Sequence, residues 1–115
     1  MQYDKNNIFA KILRKEIPCN KVYEDNMVLF FHDINPRAKI HILGIPKFKA
    51  IDLSDFITKA NKTMINYFFS KIVDVSREFN LIKNGYRVIS NSGKNGGQDV
   101  LHFHVHILGG ENLRK

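Results

Sequence analysis

Cysteine is almost missing from this sequence, and proline is rare. Cys19 is the single cysteine among 115 residues, which excludes an intrachain disulfide and a cysteine-based metal site. A reducing compartment is the simplest setting for such a chain, so we expect a cytoplasmic protein. The three prolines fall at Pro18, Pro36 and Pro46, where they mark the ends of predicted helices and strands.

Long apolar runs are also lacking. No stretch approaches the roughly 20 apolar residues of a membrane span, and the opening residues 1–5 have none of the apolar character of a signal peptide. At 43% hydrophobic and 25% charged residues, the composition is that of an ordinary soluble globular protein without membrane partners. The length suits one small domain, and we predict a single domain over residues 1–115.

The charge is unbalanced but not concentrated. The formal net charge is +7, from 18 Lys and Arg against 11 Asp and Glu. A basic protein of this kind is a candidate for binding nucleic acid, an acidic surface or a phosphorylated small molecule. No dense basic run is present, and aromatic residues are not interleaved with the lysines as in RNA-binding motifs. A nucleic-acid partner is therefore unlikely.

The most informative stretch lies near the C-terminus, in residues 96–110. From Val100 to Leu108, apolar residues alternate with His102, His104 and His106, and this period of two predicts a β-strand. On such a strand the three imidazoles share one face, with neighbours about 6.5–7 Å apart. The residues between them would face the core: Phe103, Val105 and Ile107.

Three histidines on one face admit several explanations. A purely structural role is improbable, because buried imidazoles leave donors and acceptors to satisfy. One functional alternative is a metal site, although the first and third histidines of a strand lie about 13 Å apart and cannot share an ion without a bend. The other is phosphate chemistry, with the middle imidazole as nucleophile and its neighbours donating hydrogen bonds.

The remaining segments predict an α+β fold built on an antiparallel sheet with short connections. One short amphipathic helix and one long helix are expected over residues 7–15 and 54–80, the long one capped by Asp52 or Ser54. The expected strands cover residues 21–24, 27–32, 40–45, 86–91 and 100–108.

Other polar residues lie where elements of the predicted sheet end. Asp33 follows a strand and is placed to bind a ribose, or else serves as a turn residue. His41 on its own is more often a structural histidine. Asn91 precedes the glycine-rich loop 92–98, whose N–H groups have the makings of an anion nest.

These residues together resemble the histidine triad (HIT) family, and within it the Hint branch of histidine triad nucleotide-binding proteins. The resemblance covers nearly the whole chain in four ordered blocks besides a similar opening helix. The blocks are 32–36 (His-Asp-Ile-Asn-Pro), 41–47 (His-Ile-Leu-Gly-Ile-Pro-Lys), 85–91 (Gly-Tyr-Arg-Val-Ile-Ser-Asn) and 96–110, which contains His-Phe-His-Val-His.

The resemblance implies a five-stranded antiparallel sheet with one long and one short helix, continued across a homodimer. It also implies hydrolysis of purine nucleoside phosphoramidates and related adenylates, with an AMP-like nucleotide bound and no cofactor. The alternative is a nucleotide-binding regulatory module with little catalytic activity.

The resemblance further implies roles for individual residues. His104 would be the nucleophile that forms a nucleotidyl-histidine intermediate, and His106 would lie beside the leaving group. His102, His41 and Asn91 would support them. The nucleotide contacts implied are Asp33 and Ile34 at the ribose, Ile8, Phe9, Ile12, Phe31 and His32 at the base, and Gly97, Gln98, Asp99 and Val100 around the phosphate.

The sequence departs from the family in three places. Many bacterial relatives hold a structural zinc with Cys-x-x-Cys and a later histidine, but Asn7, Ala10 and Lys49 occupy those positions here, so we predict no metal. Asp99 replaces the usual serine or threonine of the Hint branch, and a carboxylate there repels a phosphate. The sequence given ends at Lys115 without the longer tail that helps some relatives select leaving groups.

Overall fold

The computed structural model describes residues 2–114, so the first and last residues of the predicted domain lie outside the described residues. The helices are α1 (Ile8–Leu13), α2 (Leu53–Lys59) and α3 (Lys62–Glu78). The strands are β1 (Lys21–Glu24), β2 (Val28–His32), β3 (Ile40–Pro46), β4 (Arg87–Ile89) and β5 (Val105–Gly109).

The five strands form one sheet in the order β1-β2-β3-β5-β4, and every neighbouring pair is antiparallel. The α+β class and the five-stranded antiparallel sheet are therefore confirmed. The β1–β2 hairpin closes as predicted, because the Asp25 carboxylate accepts hydrogen bonds from the backbone N–H groups of Met27 and Val28 at 2.8 and 3.0 Å. β4 is shorter than predicted at both ends.

Alternation along the strands divides the apolar residues between two layers. One face of the sheet packs against α2 and α3 through a core that contains Val28, Phe30, Ile42, Phe56, Phe68, Phe103, Val105 and Ile107. The other face carries a smaller cluster with α1, made of Phe9, Ile12, Leu29, Phe31, Leu43 and Ile45. His106 of β5 therefore faces the α1 side, away from the aromatic core.

The prediction of one continuous helix over residues 54–80 was wrong in detail. The chain is extended at Ala60 (ψ 155°), and Asn61 starts α3 by accepting a hydrogen bond from Met64 N with its side chain. A capping asparagine side chain competes with helix continuation. The helix can therefore break at Asn61 although the 3.6-residue apolar pattern continues across the break. The predicted cap of the first helix is Asp52. Among residues 2–114, no helix is long and apolar enough to cross a membrane.

The histidine strand also begins later than predicted. β5 starts at Val105, and residues 100–104 reach it as irregular chain held by a bond from Phe103 N to Ala50 O, 2.8 Å long. The predicted alternation still holds, since Phe103 stacks on Phe56 with ring centroids 4.9 Å apart while His104 contacts Phe9 of α1. The irregular approach changes the surroundings of His102, which is not part of a regular strand.

Candidate active site

The pairing of β3 with β5 brings the histidines together. His41 lies opposite Leu108 and Leu43 lies opposite His106, so the two histidines are diagonal neighbours on one face of the sheet. Their nearest ring nitrogens, His41 Nε2 and His106 Nδ1, are 2.9 Å apart. The His104 ring packs edge-on to His106 at 5.2 Å. Three of the predicted residues thus form a contiguous cluster, which we call the histidine cluster (His41, His104, His106).

The hydrogen bonds of this cluster determine which ring nitrogen carries the proton in His41 and in His106. The backbone N–H of Arg37 donates to His41 Nδ1 at 3.0 Å, so a neutral His41 carries its proton on Nε2. That proton points at His106 Nδ1, which must then accept. A neutral His106 consequently carries its proton on Nε2 and is a hydrogen-bond donor there.

His104 has the opposite arrangement. Its Nδ1 lies 2.7 Å from the carbonyl oxygen of His102, which can only accept, so the His104 proton sits on Nδ1. The Nε2 atom of His104 is left with a free lone pair. The neighbouring imidazoles of the cluster therefore present a donor on one ring and a nucleophilic nitrogen on the other.

Burial keeps these imidazoles neutral. Desolvation lowers the pKa of His106 to about 4, helped by the neighbouring His104, His41 and Arg37. Desolvation also lowers the pKa of His102 to about 4 and lowers the pKa of His41. The pKa of His104 is lowered by burial too, although its hydrogen bond to His102 and the carboxylates of Asp99 and Asp33 oppose the shift.

Asp33 joins the histidine cluster at the end of β2. Its Oδ2 lies 3.3 Å from His41 Nε2, and its Oδ1 accepts a hydrogen bond from Asn35 N at 2.8 Å. The Asp33 side chain is 18% exposed, which leaves room for a ligand at its edge. The adjacent Ile34 is 86% exposed and makes an apolar surface beside it.

The residues predicted at the base divide into two groups. Phe9, Ile12 and Phe31 lie in the apolar cluster under α1, with Val100 packed against it and Ile8 46% exposed at its rim. His32 lies elsewhere, because alternation along β2 turns it to the α3 face. Its ring packs edge-on to Phe79 at 5.8 Å. The structure does not bring His32 to the histidine cluster.

The loop 92–98 uses its own donors to hold its shape. Both bonds from Gln98 Nε2 go to backbone carbonyls, Ile51 O at 2.6 Å and Val100 O at 2.9 Å, while its Oε1 accepts from Gly93 N. The N–H groups of Gly97 and Gln98 donate to Lys94 O and Gly93 O. Gln98 thus shapes the loop. No hydrogen bond in the described part of the chain joins the Asn91 side chain to a histidine.

Comparison with known proteins agrees with this architecture. The family model of the HIT domain matches residues 14–113. The chain belongs to the HIT family. An uncharacterized HIT-like protein of Rickettsia prowazekii is 50% identical over 111 residues, 96% of this chain and 92% of the relative.

Two solved structures show the extent of the likeness. A HIT family hydrolase from Legionella pneumophila is 34% identical with a TM-score of 0.88, covering 94% of this chain and 96% of that one. The histidine triad nucleotide-binding protein from Candida albicans is 30% identical with a TM-score of 0.79, covering 89% and 73%. The fold is therefore that of HIT hydrolases, while membership of the Hint branch stays a prediction.

Three residues near the cluster of this HIT protein were not anticipated from the sequence. The Arg37 guanidinium lies 3.5 Å from His106 Nδ1. Ser90 Oγ donates to the backbone carbonyl of His104 at 3.0 Å, and the Tyr3 hydroxyl lies 2.6 Å from His102 Nδ1. None of the three belongs to a recognisable pattern. Only their proximity in the folded chain reveals them.

Side chains with metal-ligand atoms form two groups near the site. The first is the triad of His102, His104 and His106, and the second is Asp33 with His41 and His106. His102 cannot share an ion with the other triad residues, because its ring nitrogens face Pro46 O and the Tyr3 hydroxyl. Ligand atoms of Asp33, His41 and His106 do lie within 4.8 Å of one another, but the Arg37 guanidinium beside His106 opposes a cation there. This second group is the metal-binding candidate among the described residues.

The structural zinc of HIT relatives does not fit this chain. The Asn7 side chain caps α1 by accepting from Ala10 N, and Ala10 itself has no ligand atom. Lys49 supplies an exposed ammonium, which is not a zinc ligand at neutral pH. The residues at the three zinc positions therefore lack a donor set for the metal.

The lowered histidine pKa values make the stability of the protein depend on pH. An unfolded chain takes up protons near pH 6.5, whereas folded His102 and His106 take them up only near pH 4. Their contribution is fully present above pH 6.5 and is lost as the pH falls. We expect the free energy of unfolding to drop by about 2 kcal/mol per histidine between pH 7 and 4.5, measured by urea denaturation.

The variant His102→Gln checks the attribution, since its amide still donates to Pro46 O but does not titrate. Its unfolding free energy should fall by about 2 kcal/mol less over the same range. An equal pH dependence in both proteins would contradict this explanation.

Proposed function

We propose that this protein hydrolyses purine nucleoside phosphoramidates and related adenylates through a nucleotidyl-histidine intermediate on His104. The observation that carries the proposal is the opposite polarity of two adjacent rings. His104 offers a lone pair on Nε2, fixed by the bond from its Nδ1 to His102 O, while His106 offers a proton on Nε2. Nucleophilic substitution at phosphorus with a poor leaving group needs both functions side by side.

In the first step, the Nε2 lone pair of His104 attacks phosphorus and the phosphorus–nitrogen bond of the substrate breaks. The leaving nitrogen keeps the electron pair of that bond, accepts a hydrogen bond from the Nε2–H of His106 and takes a proton from a water molecule. The positive charge that forms on the His104 ring is stabilised by the His102 carbonyl, 2.7 Å from Nδ1. His41 Nε2–H, 2.9 Å from His106 Nδ1, steadies the donor ring.

In the second step, water replaces His104 on phosphorus. The water gives a proton back to the solvent, and the bond between phosphorus and His104 Nε2 breaks with its electron pair returning to Nε2. The products are a nucleoside monophosphate and the starting protonation state of both rings. His106 keeps its Nε2 proton throughout, which suits an imidazole whose lowered pKa leaves it neutral at pH 7.

Nucleotide binding is proposed on the side of the sheet that faces α1. The Asp33 carboxylate would accept hydrogen bonds from ribose hydroxyls. The exposed side chains of Ile8 and Ile34 would cover the base, above the cluster that holds Phe9, Ile12 and Phe31. The similarity to the histidine triad nucleotide-binding protein from Candida albicans supports this assignment.

A second candidate is a nucleotide-binding regulatory module with little turnover. One observation favours it. Asp99 Oδ1 lies 3.9 Å from His104 Nε2, where the substrate phosphate must approach. A carboxylate in that place repels the anionic phosphate, and His104 itself is only 2% exposed. Asp99 is thus the residue that decides between the two candidates.

We also propose a homodimer that joins two sheets along β4. This strand ends the sheet order, so its outer edge has no partner within the protomer. Val88 pairs with Ile107 of the core and lies on the α3 face, yet it is 45% exposed. On α3, Phe69 and Val73 are 37% and 38% exposed on one helix face. A second copy would cover this apolar edge.

The nucleophile is tested with adenosine 5′-phosphoramidate in the presence of a chelator. We expect His104→Ala to lose activity by roughly 10³-fold or more, because the covalent route is removed. Acid quenching of the wild type should trap labelled nucleotide on the protein. His106→Ala should still form the adduct, but slowly, since it lacks only the hydrogen bond to the leaving nitrogen. Wild-type turnover that requires metal would contradict the mechanism.

The role of Asp99 is tested by Asp99→Asn and Asp99→Ser. Removing a negative charge about 4 Å from the attacking atom should lower KM roughly fivefold for adenosine 5′-phosphoramidate. Asp74→Asn, an exposed acidic position on α3, controls for net charge. If wild type and both Asp99 variants bind AMP but hydrolyse nothing, the binding-module candidate replaces the enzyme.

The dimer is tested by sedimentation equilibrium. Val88→Lys places a charge on the edge strand and should give a monomer where the wild type gives a dimer. Ile57→Lys, at an exposed apolar position on α2, is the matched control and should leave the dimer intact. A wild-type monomer at micromolar concentration would overturn the proposal.

A further inference from the structure

The segment that precedes α1 reaches the active site through one side chain. The Tyr3 hydroxyl lies 2.6 Å from His102 Nδ1, and the two rings meet edge-on with centroids 5.6 Å apart. The following turn is tied down by the bond from Asn7 N to Asp4 O and by Arg14, which donates to Lys5 O at 2.7 Å. Tyr3 is therefore held against His102 by backbone contacts on its C-terminal side.

The direction of the Tyr3–His102 hydrogen bond follows from the other nitrogen of the ring. His102 Nε2 is 2.9 Å from the carbonyl oxygen of Pro46, which can only accept, so the ring carries a proton on Nε2. Since the buried ring is neutral, Nδ1 is an acceptor and the Tyr3 hydroxyl donates to it. Both nitrogens of the His102 ring are therefore hydrogen-bonded, Nε2 to Pro46 O of β3 and Nδ1 to the Tyr3 hydroxyl of the N-terminal segment.

His102 is the residue whose backbone orients the nucleophile. Its carbonyl accepts the Nδ1 proton of His104 at 2.7 Å and thereby leaves Nε2 free. Residues 100–104 lie outside the strand ladder. Their backbone is held by the bond from Phe103 N to Ala50 O and by side-chain bonds from Gln98 to Val100 O and from Ser90 to His104 O, and none of these reaches the His102 carbonyl. The position of the His102 carbonyl thus depends strongly on how its side chain is held.

We propose that Tyr3 is a positioning residue for the active site: its hydroxyl fixes the His102 ring so that the His102 carbonyl holds the His104 ring in its Nδ1–H form. The inference rests on the proposed function only for its effect on turnover. The effect on the His104 ring is a property of the folded protein without substrate.

Tyr3 and His102 line a cavity of about 350 Å³ together with Ala10 and Lys49, whose side chains are a methyl group and an exposed ammonium. Neither residue can hold a metal that would anchor this region. A phenol hydroxyl donating to His102 supplies a fixed contact there from this chain's own residues.

The variant Tyr3→Phe tests the proposal, because it removes one oxygen atom and keeps the ring. Tyr67→Phe is the matched control. It removes a hydroxyl that donates to Asp25 on the other side of the sheet, far from the histidine cluster. Two readouts are needed: hydrolysis of adenosine 5′-phosphoramidate, and the protonation of the His102 and His104 rings in ¹⁵N-labelled, substrate-free protein by NMR.

For Tyr3→Phe we expect kcat to fall roughly 5- to 20-fold with KM nearly unchanged, since a misdirected nucleophile affects the reaction more than binding. In the NMR spectra, His104 should lose its single Nδ1–H form and its ring proton should exchange faster with solvent. Tyr67→Phe should change neither readout, although it should lower the melting temperature.

Three results would overturn the proposal. One is an unchanged His104 ring in Tyr3→Phe, whatever the activity. Another is wild-type kcat in Tyr3→Phe when the wild type is active. The third is an equal loss of kcat in Tyr3→Phe and Tyr67→Phe, which would mean general destabilisation. If the wild type hydrolyses nothing while the His104 ring responds to Tyr3→Phe, the positioning role stands and the proposed function fails.

Discussion

The antiparallel pairing of β3 with β5 is the constraint on which the rest of the site depends. It sets His41 and His106 as diagonal neighbours on the face that α1 covers, with 2.9 Å between their ring nitrogens. A shift of one residue in this register would turn His106 into the aromatic core. The apolar residues on either side of His106 prevent that shift, because Val105 and Ile107 fill the opposite face. The aromatic core therefore determines the pairing of β3 with β5, and this pairing sets the positions of the clustered imidazoles.

Burial then determines how the imidazoles differ. In water the rings of His104 and His106 would be equivalent, each exchanging its proton between two nitrogens. Inside the protein, each ring is neutral and one nitrogen is committed to a fixed partner, His102 O in one case and His41 Nε2–H in the other. The two committed partners are of opposite type, an acceptor and a donor. The free nitrogens are consequently of opposite type as well, which is what a nucleophile and a proton donor require.

Two charged side chains of opposite sign lie next to the histidine cluster. Arg37 lies against one end of the histidine cluster and Asp99 against the other, at 3.5 Å from His106 Nδ1 and 3.9 Å from His104 Nε2. The cation favours an anionic substrate and helps to keep His106 neutral. The carboxylate opposes the same substrate. The two side chains thus place charges of opposite sign at the two ends of the cluster.

The sequence by itself determined the sheet class and the alternation that places His104 and His106 on one face. Alternation with a period of two is local information, and the order of short segments left few ways to build an antiparallel sheet. Tertiary structure decided the rest. The break at Ala60, the place of His32 against Phe79 and the commitment of Gln98 to its own loop depend on neighbours distant in the chain. Tyr3 and His102 are 99 positions apart, and only folding reveals that they share a hydrogen bond.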